Sequence, residues 1–157
     1  MSSPSRQLDL TLPLRSSHLS SARRRARDFL VAHDVHRLCI EDILLALTEA
    51  AANAAVHSGA EVAEVKLQVF DGYVRLTVAD GGRGFDFAGT DLSQRPSLLS
   101  TGGRGLYLIS CVMDSVDIDV GSGTTVTMTK HLRPDDCFAR TPRISAHRSA
   151  RAGGRLN

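Results

Sequence analysis

Hydrophobic and polar residues along this chain follow two periods, one of two residues and one of three to four. The shorter period is typical of half-buried strands and the longer of amphipathic helices. Two pairs of alternating runs are separated by turn sequences, Asp71-Gly72 and Gly121-Ser122-Gly123, which favour hairpins. The predicted elements are strands at 7–14, 62–70, 73–79, 116–120 and 125–132 and helices at 18–33, 37–58 and 104–114.

Single residues mark the ends and positions of several elements. Pro13 cannot donate to a strand ladder, so the first strand is expected at a sheet edge. Ser16 or Ser17 is predicted to cap the first helix, and Gly59 to end the second. Hairpins combined with grouped helices predict an α+β fold, a two-layer sandwich with a mixed, mostly antiparallel sheet and helices on one face.

Composition and charge divide the chain into two parts. Its 157 residues favour one domain, and 42% hydrophobic with 23% charged residues argue against global disorder. The net charge of +2 comes from the segment 133–157, which holds six arginines and two aspartates. We therefore predict a folded, mildly acidic domain over 1–132 and a basic, disordered tail over 133–157. Nucleic-acid binding is not expected, except through that tail.

The cysteines and the apolar runs indicate the cellular compartment in which the protein is expected. Three cysteines far apart, without a CxxC pair, argue against a disulfide scaffold or zinc ribbon and fit a reducing environment. No apolar stretch approaches the ~20 residues that span a bilayer, and the N-terminus has no secretory pattern. A soluble cytoplasmic protein without membrane contact is expected.

Glu49, Asn53 and His57 recur every four positions on the second predicted helix and therefore share one face. Most residues between them are alanines, which let another group approach closely. Burying polar side chains beside an apolar stripe costs free energy unless they have hydrogen-bonding partners. Their position therefore favours a binding site, where a ligand would be the partner. The alternative is that all three lie on the solvent side.

Two glycine-rich stretches stand at element ends. Asp80 ends an apolar strand before glycines 81, 82 and 84, which suits an acceptor for an exocyclic amine beside a flat ring; a plain acidic turn is the alternative. Glycines 102, 103 and 105 open a helix, where backbone N–H groups attract phosphate. A P-loop is excluded because the GxxxxGK[ST] sequence is absent and the only lysines are Lys66 and Lys130.

Taken in order, these stretches resemble the N, G1, G2 and G3 boxes of the GHKL (Bergerat-fold) ATPases. The chain has Glu-x3-Asn-x3-His on a helix, Asp-x-Gly-x-Gly after a strand, Gly-Gly-x-Gly-Leu before a helix and Gly-Thr-Thr entering a strand. The likeness spans about residues 7–132. Within the superfamily, EDILLALTEAAANAAVHSG and GGRGLYLISCVMDSV are most similar to the anti-sigma-factor serine/threonine kinases of bacterial partner-switching systems.

At the phosphate end of an ATP site, the resemblance implies that Asn53 coordinates Mg²⁺ and that Glu49 is the general base. Gly103 and Gly105 would cradle phosphates through backbone N–H groups. Arg104 would balance γ-phosphate charge in place of the missing lysine.

At the adenine end, the resemblance implies that Asp80 accepts from the adenine amino group, with Gly82 and Gly84 allowing close approach. Thr125 would support this contact from the neighbouring strand. His57 is expected to be structural or near the phosphates, with no catalytic role.

The function implied is an ATP- and Mg²⁺-dependent serine-protein kinase and anti-sigma factor. It would bind a sigma factor and phosphorylate a serine of an anti-anti-sigma antagonist of the STAS type, as a homodimer. The alternative is a partner-switching module that binds ATP without kinase activity. Histidine kinases need a phospho-accepting helical hairpin, and the larger GHKL relatives need further domains, for which 157 residues leave no room. A basic arm that binds nucleic acid is a third reading, with salt-dependent binding that truncation at Arg133 abolishes.

Overall fold

The computed structural model describes residues 6–83, 104–132 and 143–148, and within them three helices and six strands. The elements are β1 (Arg6–Pro13), α1 (Ser16–Ala32), α2 (Arg37–His57), β2 (Val62–Phe70), β3 (Tyr73–Asp80), α3 (Arg104–Val112), β4 (Ser115–Val120), β5 (Thr124–His131) and β6 (Arg143–Arg148). Every strand and helix predicted from the periodicity is present, and β6 is additional.

The strands form one mixed sheet in the order β1-β2-β3-β5-β4-β6. All neighbours pair antiparallel except β4 and β6, which are parallel. The expected edge position of the strand that contains Pro13 is confirmed, because β2 is the one neighbour of β1 among the six described strands. The predicted α+β architecture is confirmed as well.

The core lies between the helices and one face of the sheet. Along β2, β3 and β5, buried residues alternate with exposed or half-buried ones, so each of these strands turns about one side chain in two toward the core. The helix α2 supplies the largest share from its apolar stripe. The largest fully buried side chains include Leu30, Ile43, Leu44, Leu47, Leu67, Leu76, Ile109, Ile118 and Met128.

Two glycines shape the chain around α2 and the first hairpin. Gly59 follows α2 with φ +70° and Gly72 lies in the β2–β3 turn with φ +87°, a backbone region that side chains with a Cβ rarely adopt. Gly59 confirms the predicted end of the second helix, and Gly72 confirms the predicted hairpin.

The predicted serine cap of α1 is wrong. The N-cap residue is Arg15, which makes no side-chain capping hydrogen bond, and Ser16 already lies inside the helix. The first turn is tied instead by the backbone, where His18 N donates to Arg15 O at 3.1 Å.

The prediction that the whole tail is disordered is also wrong, because residues 143–148 form β6. Ile144 pairs with Val116 and Ala146 with Ile118, so the strand covers the β4 edge. On the outer face, Ser145 Oγ donates to Asp117 Oδ1 at 3.1 Å. The other tail residues, including Cys137, lie outside the described residues.

Two findings bear on the cysteines and on membranes. Cys39 is a buried reduced cysteine, and Cys111 is an exposed one. Among the helices of the described segments, none is long and apolar enough to cross a bilayer.

Candidate functional site

A cleft opens between α2, α3 and the ends of β3 and β5. Its empty volume is about 420 Å³, including space open to solvent, and its walls are mostly apolar. All five polar residues that line it come from positions where the sequence indicated chemistry or directly beside them. The lining residues are Ala50, Asn53, Ala54, His57, Ser58, Val78, Asp80, Leu106, Thr124 and Val126.

Glu49 and Asn53 converge where α3 begins. A Cβ added to Gly105 would lie 3.0 Å from Glu49 Oε2 and 3.1 Å from Asn53 Oδ1. Both side chains therefore end beside the same point on the backbone of α3. Any larger residue at position 105 would push them away, which explains why a glycine stands there.

Glu49 and Asn53 are half-buried residues, and within the described part of the chain neither side chain has a hydrogen bond or ion pair. Their location against α3 excludes the alternative in which the face of α2 is simply solvated. His57, one turn further along, is exposed at the mouth of the cleft. Half-buried polar groups of this kind favour a ligand that satisfies them.

Asp80, the last residue of β3, also lines the cleft. Its Oδ1 accepts a hydrogen bond from Gly82 N at 3.0 Å, which orients the carboxylate. Its second oxygen has no partner among the residues described here. A carboxylate held in this way is an acceptor for an amino group that enters the cleft.

Gly82 is packed against the end of α2. Arg83 N donates to Ser58 O at 3.0 Å, and a Cβ on Gly82 would collide with that carbonyl oxygen and lie 2.5 Å from Ser58 Cβ. The glycine therefore fixes the segment after β3 against α2. This contact holds the two walls of the cleft together.

The assignment of Thr125 needs correction, because Thr124 occupies the position expected of it. Thr124 pairs with Asp80 across β3 and β5, is buried and lines the cleft. Thr125 pairs with Ala79, and side chains of successive strand residues point to opposite faces. Gly123 permits this register, because a Cβ there would collide with the Asp80 carbonyl oxygen.

The glycine-rich stretches are only partly described. Gly84 and Gly103 lie outside the described residues, so their predicted contacts stay predictions. Arg104 is the exposed first residue of α3, and Gly105 follows it. Of the predicted site residues, the structure brings Glu49, Asn53 and Gly105 together where α2 meets α3, and Asp80 together with Gly82 at the end of β3.

Sequence reasoning overlooked Thr124 and Ser58. The sequence does contain a signal for Thr124. Side chains two residues apart on a strand share a face, so Thr124 lies on the same face of β5 as the apolar Val126 and Met128. No sequence signal pointed to Ser58, which acts through its backbone carbonyl.

The arrangement combines two chemistries. Carboxylate and amide oxygens, as on Glu49 and Asn53, are the hard oxygen ligands that Mg²⁺ takes in proteins. The first residues of α3 have backbone N–H groups that can bind an anion. The apolar cleft with one carboxylate suits a flat ring that carries an amino group. The residues present thus fit a magnesium-bound nucleotide.

Known proteins resemble the chain at both the sequence and the fold level. Residues 12–130 match the family described as histidine kinase-like ATPase domain. The "Serine-protein kinase RsbW" of Bacillus licheniformis is 37% identical in an alignment of 112 positions, which covers 62% of this chain and 70% of that protein. The protein of the same name from Staphylococcus epidermidis is 27% identical in an alignment of 147 positions, which covers 86% of this chain and 92% of that protein.

Two solved structures share the fold. A crystal structure of the RsbU and RsbW domains of Rv1364c from Mycobacterium tuberculosis has a TM-score of 0.62 at 24% identity, over 93% of this chain and 36% of that one. The histidine kinase domain of Erythrobacter litoralis EL346 has a TM-score of 0.52 at 19% identity, over 76% and 61%. The family match covers most of the chain and agrees with the four sequence boxes. The chain therefore belongs to the histidine kinase-like ATPase family, within the GHKL superfamily that its motifs indicated.

Proposed function

We propose that this chain is an ATP-dependent serine-protein kinase and anti-sigma factor, which binds a sigma factor and phosphorylates a serine of an anti-anti-sigma antagonist of the STAS type. The convergence of Glu49 and Asn53 on Gly105 is the observation that carries the proposal. The relatives named serine-protein kinase support it.

The adenine end of the proposed site is formed by β3 and β5. Asp80 would accept a hydrogen bond from the adenine amino group, oriented by Gly82 N. Thr124, opposite Asp80 on β5, takes the supporting role first expected of Thr125. Gly84 belongs to the same proposal through its sequence position.

The phosphate end is formed by α2 and the start of α3. Asn53 would hold Mg²⁺, and Gly103, Arg104 and Gly105 would surround the phosphates. When bound, the ion supplies positive charge against the phosphate oxygens. The chain has no P-loop lysine, so backbone N–H groups and Arg104 carry the remaining charge stabilisation.

Glu49 would act on the substrate hydroxyl. One turn from Asn53, its carboxylate would accept the serine proton while the serine oxygen bonds to the γ-phosphorus and ADP leaves. Phosphoryl transfer asks a protein mainly for positioning and charge, so few residues suffice.

The competing function is a switch that binds ATP and changes partners without phosphorylating them. Glu49 favours the kinase, because nucleotide binding alone does not require a carboxylate at this position. We further propose a cytoplasmic homodimer whose folded domain does not bind nucleic acid, so that any nucleic-acid contact would use the basic tail beyond 132.

A radiolabel transfer assay separates the two functions. The antagonist is identified by co-purification from the native cell and incubated with γ-labelled ATP. We expect label on serine, a loss of about 10²–10⁴ in rate for Glu49→Gln with ATP binding retained, and weaker Mg·ATP binding for Asn53→Ala.

Two results would contradict parts of the proposal, the first the kinase activity and the second the role of Glu49. Bound but untransferred ATP in the wild-type protein would identify the switch. Glu49→Gln with the wild-type transfer rate would refute the assigned base while leaving nucleotide binding intact.

A further inference from the structure

Lys130 is buried in the core side of the sheet, although lysine is rarely buried unless it is paired. It follows Val126 and Met128 on the inward face of β5, and only 6% of its surface is exposed. The chain's other lysine, Lys66, is exposed on β2. A lysine on the buried face therefore needs partners that satisfy its ammonium group.

Lys130 has two such partners on different helices. Its Nζ lies 2.7 Å from Asp42 Oδ2 on α2 and donates at 2.7 Å to the carbonyl oxygen of Val112, the last residue of α3. The last carbonyls of a helix lack partners within it, and a cation there is favoured by the helix dipole. Lys130 thus joins the C-terminal end of α3 to α2.

The two neighbours of Lys130 in the sequence make hydrogen bonds to the segment that directly follows α3. Thr129 O accepts from Asp114 N at 2.9 Å, and His131 N donates to Asp114 Oδ2 at 2.6 Å. These contacts fix the α3–β4 connection to β5. Within this set, Lys130 makes the ion pair to α2, and His131 O accepts a weak hydrogen bond from Cys39 Sγ of the same helix at 3.9 Å.

The opposite end of α3 is the phosphate end of the proposed site. Gly105 lies against Glu49 and Asn53, while Val112, seven residues later, is joined through Lys130 to Asp42. Asp42 precedes Glu49 by seven residues, about two turns of α2. The two helices therefore run antiparallel, with α3 fixed to α2 at both ends.

We propose that Lys130 is a positioning residue that holds α3 in place along α2, so that its phosphate-binding end stays against Glu49 and Asn53. This inference rests on the proposed nucleotide function. It matters because a displacement of about 1 Å at a reacting group reduces rates by up to about 10²-fold. Lys130 itself is committed to Asp42 and Val112 and does not take the place of a P-loop lysine.

The test compares Lys130→Met with Lys66→Met, which removes the chain's other lysine from an exposed position. Amide hydrogen exchange of the nucleotide-free proteins is expected to rise in residues 104–112 of Lys130→Met and to stay unchanged in Lys66→Met. The affinity for Mg·ATP is expected to fall about tenfold or more in Lys130→Met, while that for AMP, which lacks the outer phosphates, is retained.

Asp42→Asn provides a second route if Lys130→Met does not fold, because Asp42 is 30% exposed and tolerates loss of its charge more easily. Asp42→Asn is expected to lose the preference for ATP over AMP to the same extent as Lys130→Met. The double variant, which carries both substitutions, is expected to lose no more of this preference than either single variant. Wild-type preference in either folded variant, or faster exchange throughout the protein, would overturn the positioning role. A wild-type protein that binds no nucleotide would instead contradict the proposed function, and the exchange data would still test the helix contact.

Discussion

Gly105 lies so close to Asn53 that a Cβ at position 105 would stand 3.1 Å from Asn53 Oδ1 and 3.2 Å from Nδ2. The α2 residues of the N box and the first turn of α3 therefore touch without an intervening side chain. This contact brings two motifs that are about 50 residues apart in the sequence to one end of the cleft.

Gly105→Ala should weaken Mg·ATP binding by about tenfold while leaving the fold intact. The added methyl group meets the ends of two side chains, which can move away, so the change displaces Glu49 and Asn53 more than the backbone. Gly81→Ala is the matched control, because a Cβ there meets nothing within 4 Å. Calorimetric titration decides, and equal affinities for the two variants would contradict the assigned contact.

Gly82→Ala should act on stability instead. Its methyl group would meet the Ser58 backbone, which cannot move aside as a side-chain end can. We expect a loss of about 3 kcal/mol in the free energy of unfolding, the upper end of overpacking effects. Urea denaturation measures this loss, with Gly81→Ala as the reference. Equal urea midpoints for the two variants would contradict the close contact between Gly82 and Ser58.

Thr124→Val and Thr125→Val distinguish the two threonines of the Gly-Thr-Thr sequence. Thr124 lines the cleft opposite Asp80, so loss of its hydroxyl should weaken ATP binding about fivefold, the value of one neutral hydrogen bond. Thr125→Val should bind ATP as the wild type does. The reverse order of affinities would restore the assignment made from the sequence.

The ion pair between α1 and α2 should make stability depend on pH. Arg27 Nη1 lies 2.7 Å from Glu41 Oε1, and its hydrogen bond lowers the pKa of Glu41 below the ordinary value. The stabilisation is therefore complete above about pH 4.3, the ordinary glutamate pKa, and is lost as the pH falls through the lowered folded value. Both side chains are well exposed, so salt should reduce it.

Thermal unfolding of Glu41→Gln against wild type measures this dependence. The melting temperature of the variant should be lower at pH 7 and approach that of the wild type at acidic pH. Glu61→Gln, at an exposed position, is the control. A difference between Glu41→Gln and wild type that is independent of pH would rule out the ion pair as its cause.

The sequence was sufficient for the elements whose signals are local. The Asp71-Gly72 turn and the Leu- and Ala-rich run of α2 determine their structure within a few residues. The parity of β5 was equally available, and it would have placed Thr124 and Lys130 on the inward face with Val126 and Met128.

Other features depend on pairing between distant segments. The strand β6 has only Ile144 and Ala146 as apolar positions, and its partner is the edge of β4. Such a short segment has no clear period of its own, so its pairing decides its structure. The contact of Gly82 with Ser58 is similarly non-local, because its partner is a backbone carbonyl that carries no sequence signature.

Calorimetric titration of the wild-type protein with Mg·ATP and with Mg·GTP tests the central claim most directly. If the cleft holds adenine against Asp80, ATP should bind with a measurable heat and GTP at least about tenfold more weakly, because the guanine carbonyl would face the carboxylate. No heat of association at millimolar ATP would contradict the account.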